Sequence, residues 1–327
     1  MKFGILGSGS WATALAKILC EQNDPLFWYL RNENTIAHLQ QKGSNPSYLQ
    51  NVSFNPNQLK LSSNMREVVK QADTLILAIP SPFLHQSLQK VKDLLPSKIV
   101  FSAVKGIVPE SKDVVGKHLQ YAFGVPRNQI GVIMGPCHAE EVAMEKLSYL
   151  TLASQNQDTA NSLAQQMTCS YIRTKVSDDI IGAEYAGTLK NIYAIAVGIA
   201  LGLGYGDNFQ SVLISNSIRE LKRFLKQIHK NKRDMSHSAY LGDLLVTGYS
   251  LFSRNRMLGT LIGKGYTVKS ALNEMTMISE GYYASHTAHL MKQEIDKQFP
   301  IMEAVYQILY EEKSAKKVMA QVAEGLH

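Results

Sequence analysis

The sequence predicts an α/β protein: a mostly parallel sheet with helices on both faces, followed by an all-helical C-terminal domain. Three observations carry this. Short apolar runs alternate with helix-like stretches through the first half, as they do where strands are buried on both faces. A glycine-rich turn links the first strand-like run to the first helix-like one. From about Glu184 onward strand-like runs vanish and helical periodicity takes over. At 327 residues, and roughly 150 residues per domain, two domains are expected. The composition changes between Lys175 and Gly182, so the expected domains are 1–180 and 181–327.

In chain order, strands are expected at Phe3–Leu6, Leu26–Leu30, Thr74–Ile79, Ile99–Ala103, Ile130–Met134 and Tyr149–Ala153. Several of these runs are rich in Val and Ile and bounded by Gly, Pro or Ser. Between them, helices are expected at Trp11–Glu21, Met65–Ala72, Pro82–Leu95 and Ala139–Lys146. Glu184 to Leu203 is apolar nearly all round, the mark of a helix at the centre of a helical domain. Ile218, Leu221, Leu225 and Ile228 form a stripe of helical period, and Pro300 stands where a last apolar helix would begin.

Composition narrows the function. Apolar residues are 45% and charged residues 19%, which excludes wholesale disorder. Mean hydropathy is −0.12, and the longest apolar run, Ile192 to Leu203, is well short of the roughly 20 residues a membrane span needs. The first residues meet Gly4 and Gly7 before a signal-peptide core could form. Cys20, Cys137 and Cys169 are odd in number and form no CxxC pair. We therefore expect neither a disulfide framework nor a metal site, and a reducing, cytoplasmic setting. The net charge of +7 suits anionic ligands. Arg219 to Asp234 holds seven Lys/Arg against two Asp/Glu, but Leu221, Phe224, Leu225 and Ile228 cover the opposite face. This reads as the solvated face of a surface helix, with no nucleic-acid partner.

The glycine turn is Gly7-Ser8-Gly9-Ser10-Trp11-Ala12, a G-x-G-x-x-A pattern. Gly7 permits a tight turn, Gly9 lets the backbone approach a pyrophosphate, and Ala12 lets helix and strand pack closely. The helix start then offers free N–H groups and a positive dipole end. This context points to a Rossmann-type dinucleotide site. Arg31 follows the second strand, where Arg suits a 2′-phosphate and an acid suits a ribose hydroxyl. NADP or NAD is therefore expected as cofactor, with Arg31 favouring NADPH and Glu33 keeping NADH open.

Polar residues in apolar surroundings supply the other candidates. Val104-Lys105-Gly106 follows a strand at the sheet edge where ligands bind. Gly135-Pro136-Cys137-His138-Ala139 follows the next strand and starts a helix. His138 has no nucleophile beside it in sequence and reads as a loop residue. Lys190-Asn191 interrupts the apolar central helix. Lys190 is either buried, with a pKa driven toward neutrality, or set at the helix edge with its amine reaching solvent. Asp243 lies among apolar residues in Leu241-Gly242-Asp243-Leu244. Ser253-Arg254-Asn255-Arg256 reads either as a phosphate clamp or as a polar helix start.

Taken in order, these pieces resemble the NAD(P)-dependent glycerol-3-phosphate dehydrogenases of the bacterial type. The matching residues run from Gly7–Ala16 through Val104-Lys105-Gly106, Gly135-Pro136, Leu189-Lys190-Asn191, Gly242-Asp243 and Ser253-Arg254-Asn255 to Glu280-Gly281-Tyr282 and Pro300-Ile301. The resemblance implies interconversion of dihydroxyacetone phosphate and sn-glycerol 3-phosphate with NAD(P)H, supplying phospholipid synthesis, and a homodimer. It implies catalytic roles for Lys190, Asp243 and Lys105. It implies substrate contacts at Lys105, Gly135, Cys137, Lys190, Asn191, Asp243, Ser253, Arg254 and Asn255. Cofactor contacts are implied at Gly7, Gly9, Ser10, Trp11, Arg31, Lys105, Ala139, Arg254, Ile278 and Glu280. Three positions depart from the pattern. Cys137 replaces a usual Ser or Thr, Gln210 stands where Lys or Arg is common, and Asn216 stands where Arg is common. Other two-domain dehydrogenases, such as ketopantoate reductase or the 6-phosphogluconate dehydrogenase group, share the architecture but not this ordered set. A nucleotide sensor without turnover would not need Lys190.

Overall fold

The computed structural model describes residues 1–22, 24–275 and 278–327. The chain divides into two compact units, 1–104 with 113–180, and 105–112 with 181–327.

The first unit is built on eight strands: β1 (Phe3–Leu6), β2 (Leu26–Tyr29), β3 (Leu59–Ser62), β4 (Thr74–Leu77), β5 (Ile99–Ser102), β8 (Ile130–Met134), β9 (Ser148–Ser154) and β10 (Ile172–Ser177). Two further strands, β6 (Ile107–Val108) and β7 (Asp113–Val114), are two residues long and lie outside that sheet. The sheet order is β10-β9-β8-β5-β4-β1-β2-β3. Its neighbours run parallel except β8 and β9. The helices of this unit are α1 (Ser10–Cys20), α2 (Glu33–Lys42), α3 (Met65–Gln71), α4 (Ser81–Gln89), α5 (Val115–Phe123), α6 (Ala139–Ala143) and α7 (Gln157–Met167). Register places Ile5 of β1 between Trp28 of β2 and Ile76 of β4, and all three are fully buried. The chain steps outward from β1 one way through β2 and β3 and the other way from β4, so the direction reverses between β1 and β4. Crevices of this kind, at the carboxyl ends of the strands, receive ligands.

The expected strands all form. The unexpected strands of this sheet, β3 and β10, are its two edges. Edge strands bury one face only, and here just Leu59 in β3 and Ile172 in β10 are buried. Neither offers the continuous apolar run that marks a central strand. α2, α5 and α7 were not expected either. The expected helix Pro82–Leu95 ends at Gln89, in turns that lead to Pro96. The expected helix Ala139–Lys146 ends at Ala143, because Glu145 takes a left-handed conformation with φ of 56°.

The second unit is helical: α8 (Ile180–Gly202), α9 (Asp207–Ile228), α10 (Asp243–Tyr249), α11 (Arg254–Gly263), α12 (Val268–Glu274), α13 (Glu280–Lys292), α14 (Pro300–Leu309) and α15 (Ala315–Gly325). α8 is buried on every side from Ala183 to Ala200. Small residues let α11 cross it at short range. A Cβ on Gly198 would stand 2.1 Å from the Arg256 carbonyl oxygen, and one on Gly259 would stand 2.1 Å from that of Ile195. Gly202 and Gly263 repeat the arrangement one turn on. Glu220 of α9 reaches under α14, accepting the backbone N–H groups of Ile301 and Met302 at 3.0 and 2.9 Å. Those donors are among the four that a helix start leaves unpaired. Arg219, Lys222, Arg223 and Lys226 are exposed on α9, and Lys230 just beyond its end, while Leu221, Phe224 and Leu225 are buried, as expected of a surface helix.

Candidate active site

In the first unit the polypeptide leaves β1 through Gly7, whose φ of +140° is one that side-chain-bearing residues rarely adopt. A Cβ there would meet the Ala78 carbonyl oxygen at 2.4 Å. The turn is braced from behind: Trp28 Nε1 donates to the Gly7 carbonyl at 2.7 Å, and Asn45 Nδ2 donates to the Ser8 carbonyl at 3.3 Å and to Thr13 Oγ1 at 2.9 Å. Gly9 is the N-cap of α1, no side chain caps the helix, and its first turn carries no acid. A Cβ on Gly9 would meet nothing within 4 Å. The helix start therefore faces open space with its positive dipole end, which fits a pyrophosphate. Ser10 and Trp11 open the helix. Arg31 is exposed just beyond β2. Glu33, the alternative, sits in the first turn of α2 and accepts the Ser63 hydroxyl at 3.2 Å. Gly135, with φ of +117°, ends β8. Cys137 is buried, His138 is the N-cap of α6, and Ala139 is its first residue.

The second unit gathers four polar side chains around one buried carboxylate. Lys190 lies midway along α8 and is only 3% exposed, so the buried alternative holds. Asp243, at the start of α10, is fully buried. A π-helical turn, Ser238–Gly242, delivers the chain to it. Lys190 Nζ donates to Asp243 Oδ1 and, at 2.8 Å, to Thr247 Oγ1. Lys105 Nζ donates to the other carboxylate oxygen, Oδ2, at 3.3 Å. Thr247 Oγ1 in turn donates to the Asp243 carbonyl at 2.6 Å. Asn191, next to Lys190 on α8, donates to the Lys105 carbonyl at 2.9 Å and fixes that loop.

Two lysine amines share one carboxylate here, and Lys190 and Asp243 are both buried. Burial disfavours the charged form of Lys190. Asp243 opposes that, Lys105 adds to it, and the pKa is pushed down to about 7. An amine poised at that value can both give and accept a proton near neutral pH. Thr247 was not singled out in the sequence. The available signal was its position four residues after Asp243, which puts both on one face of α10.

Ser253 meets the helix-start reading of its segment: its hydroxyl caps α11 by accepting the Arg256 N–H at 3.3 Å. Arg254, half-buried in the first turn, donates to the Ile278 carbonyl at 3.4 Å. Asn255 is buried and its Oδ1 accepts the Ser279 hydroxyl at 2.7 Å and the Gly281 N–H at 2.9 Å. Glu280 begins α13. The departures fall elsewhere. Gln210 donates to the Tyr205 carbonyl at 3.3 Å, and Asn216 donates to the His327 carbonyl at 3.1 Å.

Two family models divide the chain between them. That of the NAD-dependent glycerol-3-phosphate dehydrogenase N-terminus matches residues 2–160, and that of the C-terminus matches residues 179–320. Glycerol-3-phosphate dehydrogenase [NAD(P)+] of Bacillus subtilis is 34% identical, over 99% of this chain and 94% of that protein. Its counterpart in Bacillus pumilus is 33% identical, over 98% and 94%. The crystal structure of glycerol-3-phosphate dehydrogenase from Coxiella burnetii superposes with a TM-score of 0.92 at 29% identity, covering 99% of this chain and 98% of that one.

Proposed function

The chain belongs to the NAD-dependent glycerol-3-phosphate dehydrogenase family, and from that premise we propose that it interconverts dihydroxyacetone phosphate and sn-glycerol 3-phosphate. The observation that carries the reading is the buried Lys190, held by Asp243 and Thr247 with Lys105 on the far carboxylate oxygen. When bound, the reduced nicotinamide supplies the hydride. Lys190 delivers a proton to the C2 oxygen of the ketone and stabilises the negative charge that develops there. Asp243 keeps enough positive charge on Lys190 for that role, and Thr247 fixes the direction of its N–H bonds. Lys105, tied through its carbonyl to Asn191, adds a second cation for the substrate.

Ser253, Arg254 and Asn255 bind the substrate phosphate, with the Arg254 guanidinium as its main charge partner. The backbone around Gly135 and Cys137 adds donors to the substrate. The turn at Gly7, Gly9, Ser10 and Trp11 holds the pyrophosphate of the cofactor. Arg31 meets a 2′-phosphate, which favours NADPH. Lys105, Ala139, Arg254, Ile278 and Glu280 complete the cofactor contacts. Most of the dinucleotide contacts thus fall in residues 1–180 and most of the substrate contacts in 181–327. The family resemblance supports three further proposals: a homodimer, a cytoplasmic setting, and supply of glycerol 3-phosphate to phospholipid synthesis.

The test is cofactor oxidation, followed by absorbance, with dihydroxyacetone phosphate and with unphosphorylated dihydroxyacetone. We expect turnover with the phosphate ester at a kcat/KM at least about 100-fold higher, because charge-assisted contacts to phosphate would go unmade in the alcohol. Equal rates on both ketones would overturn the phosphate assignment.

A further inference from the structure

We propose that Ser279 is a positioning residue for the substrate phosphate, acting through Asn255. This rests on the function proposed above. Asn255 offers an amide with one acceptor oxygen and one NH2 group. Its Oδ1 accepts two hydrogen bonds, from Ser279 Oγ and from the Gly281 backbone. Both partners are buried: Ser279 is 3% exposed and Asn255 is 8%. With the oxygen saturated from one side, the amide cannot flip without losing both bonds, and its NH2 edge is committed to the opposite side. That edge makes no hydrogen bond to another described residue, so its donors are available to a ligand. The amide also belongs to the triplet whose Arg254 carries the phosphate charge.

The backbone leaves the amide no room to relax. A Cβ on Gly281 would stand 2.7 Å from the Asn191 carbonyl oxygen and 2.8 Å from Asn255 Oδ1. The first turn of α13 is therefore pressed on α8 beside Lys190 and on α11 at Asn255. Arg254 adds its bond to the Ile278 carbonyl, one residue before Ser279. Of the two bonds that orient the amide, the backbone one is independent of residue type. The Ser279 hydroxyl is the part that the choice of side chain adds.

Ser279→Ala removes one neutral buried hydrogen bond and leaves the Gly281 bond in place. The KM for dihydroxyacetone phosphate should rise about two- to tenfold, with kcat changed less than twofold. Ser279→Thr, which keeps the hydroxyl, should restore the KM. In an Asn255→Ala background, Ser279→Ala should have no further effect on KM, because the amide it orients is gone. A purely structural role for Ser279 predicts instead that the KM change persists in that background. Melting temperatures of all variants separate loss of fold from loss of binding. A wild-type protein without turnover would sink the proposed function. A wild type with turnover, and a Ser279→Ala variant of unchanged KM or with equal effects in both backgrounds, would sink this inference alone.

Discussion

Asp243→Asn tests the electrostatics of the site with a change of one atom type. The substitution keeps the shape of the side chain and removes the only carboxylate within hydrogen-bond reach of Lys190 among the described residues. Burial and Lys105 both drive the Lys190 pKa down, and Asp243 opposes them. Without it the pKa must fall below its value of about 7. Unit charges about 4 Å apart interact by about 4 kcal/mol at an effective dielectric constant of about 20. At 1.36 kcal/mol per pKa unit that corresponds to about three pH units at most. Lys105 loses the same partner, and its unrelieved charge acts in the same direction. We expect a displacement of about one to three units. The assay is kcat/KM for dihydroxyacetone phosphate reduction between pH 5 and 9. Reduction needs the protonated amine, so the wild-type rate should fall as pH rises through about 7, and the reverse oxidation should rise there. In Asp243→Asn the fall should begin at least one unit lower, leaving at pH 7 less than about a tenth of the variant's own low-pH limit. A limb that stays near pH 7, or moves upward, would refute the electrostatic account.

Other parts of the structure make separate predictions. Gly259→Ala forces a Cβ to within 2.1 Å of the Ile195 carbonyl. It should destabilise by about 3 kcal/mol, while Gly325→Ala, with open space around it, should leave the melting temperature within a degree or two. Glu220 is buried, which raises its carboxyl pKa from the usual 4.5 to about 7 against the pull of its two backbone partners. Folding then favours its protonated form, so its contribution is full below pH 4.5 and lost as pH rises through 7. Glu220→Gln removes that slope, and its deficit in unfolding free energy by denaturant titration should be larger at pH 5 than at pH 8, by up to about 3 kcal/mol. Arg31→Ala should raise the KM for NADPH about tenfold and that for NADH less than twofold. Equal changes for both cofactors would remove Arg31 from the 2′-phosphate.

Residues differ in how far their sequence context reveals their place. The strand runs are legible where burial is two-sided, as in Thr74–Leu77 and Ile130–Met134, whose residues are all buried. They are not legible at the edges, where Leu59–Ser62 and Ile172–Ser177 alternate with solvent. Gly7 and Gly9 announce their turn because the pattern is local. Lys190 is different. Its position in an apolar helix left two readings open, since a long amine on a helix rim can reach water. Only tertiary packing decides between them: α10 arrives 53 residues later with Asp243 and Thr247. Asn255 and Ser279 meet across 24 residues, and no local periodicity encodes that pairing. Thr247 needed the carboxylate's role to be known first.

The measurement that bears most directly on the account is the rate of NADPH oxidation with dihydroxyacetone phosphate for the wild type and Lys190→Met. Methionine fills the buried space without a charge or a transferable proton. Lys105 remains to partner Asp243, so the carboxylate is not stranded. Loss of both the proton and the local cation should lower kcat by about a thousandfold or more. Binding of NADPH, followed by fluorescence, should stay within about threefold of wild type. Substrate-dependent oxidation within tenfold of wild type, in a variant that melts normally, would contradict the assignment of Lys190 as the proton donor.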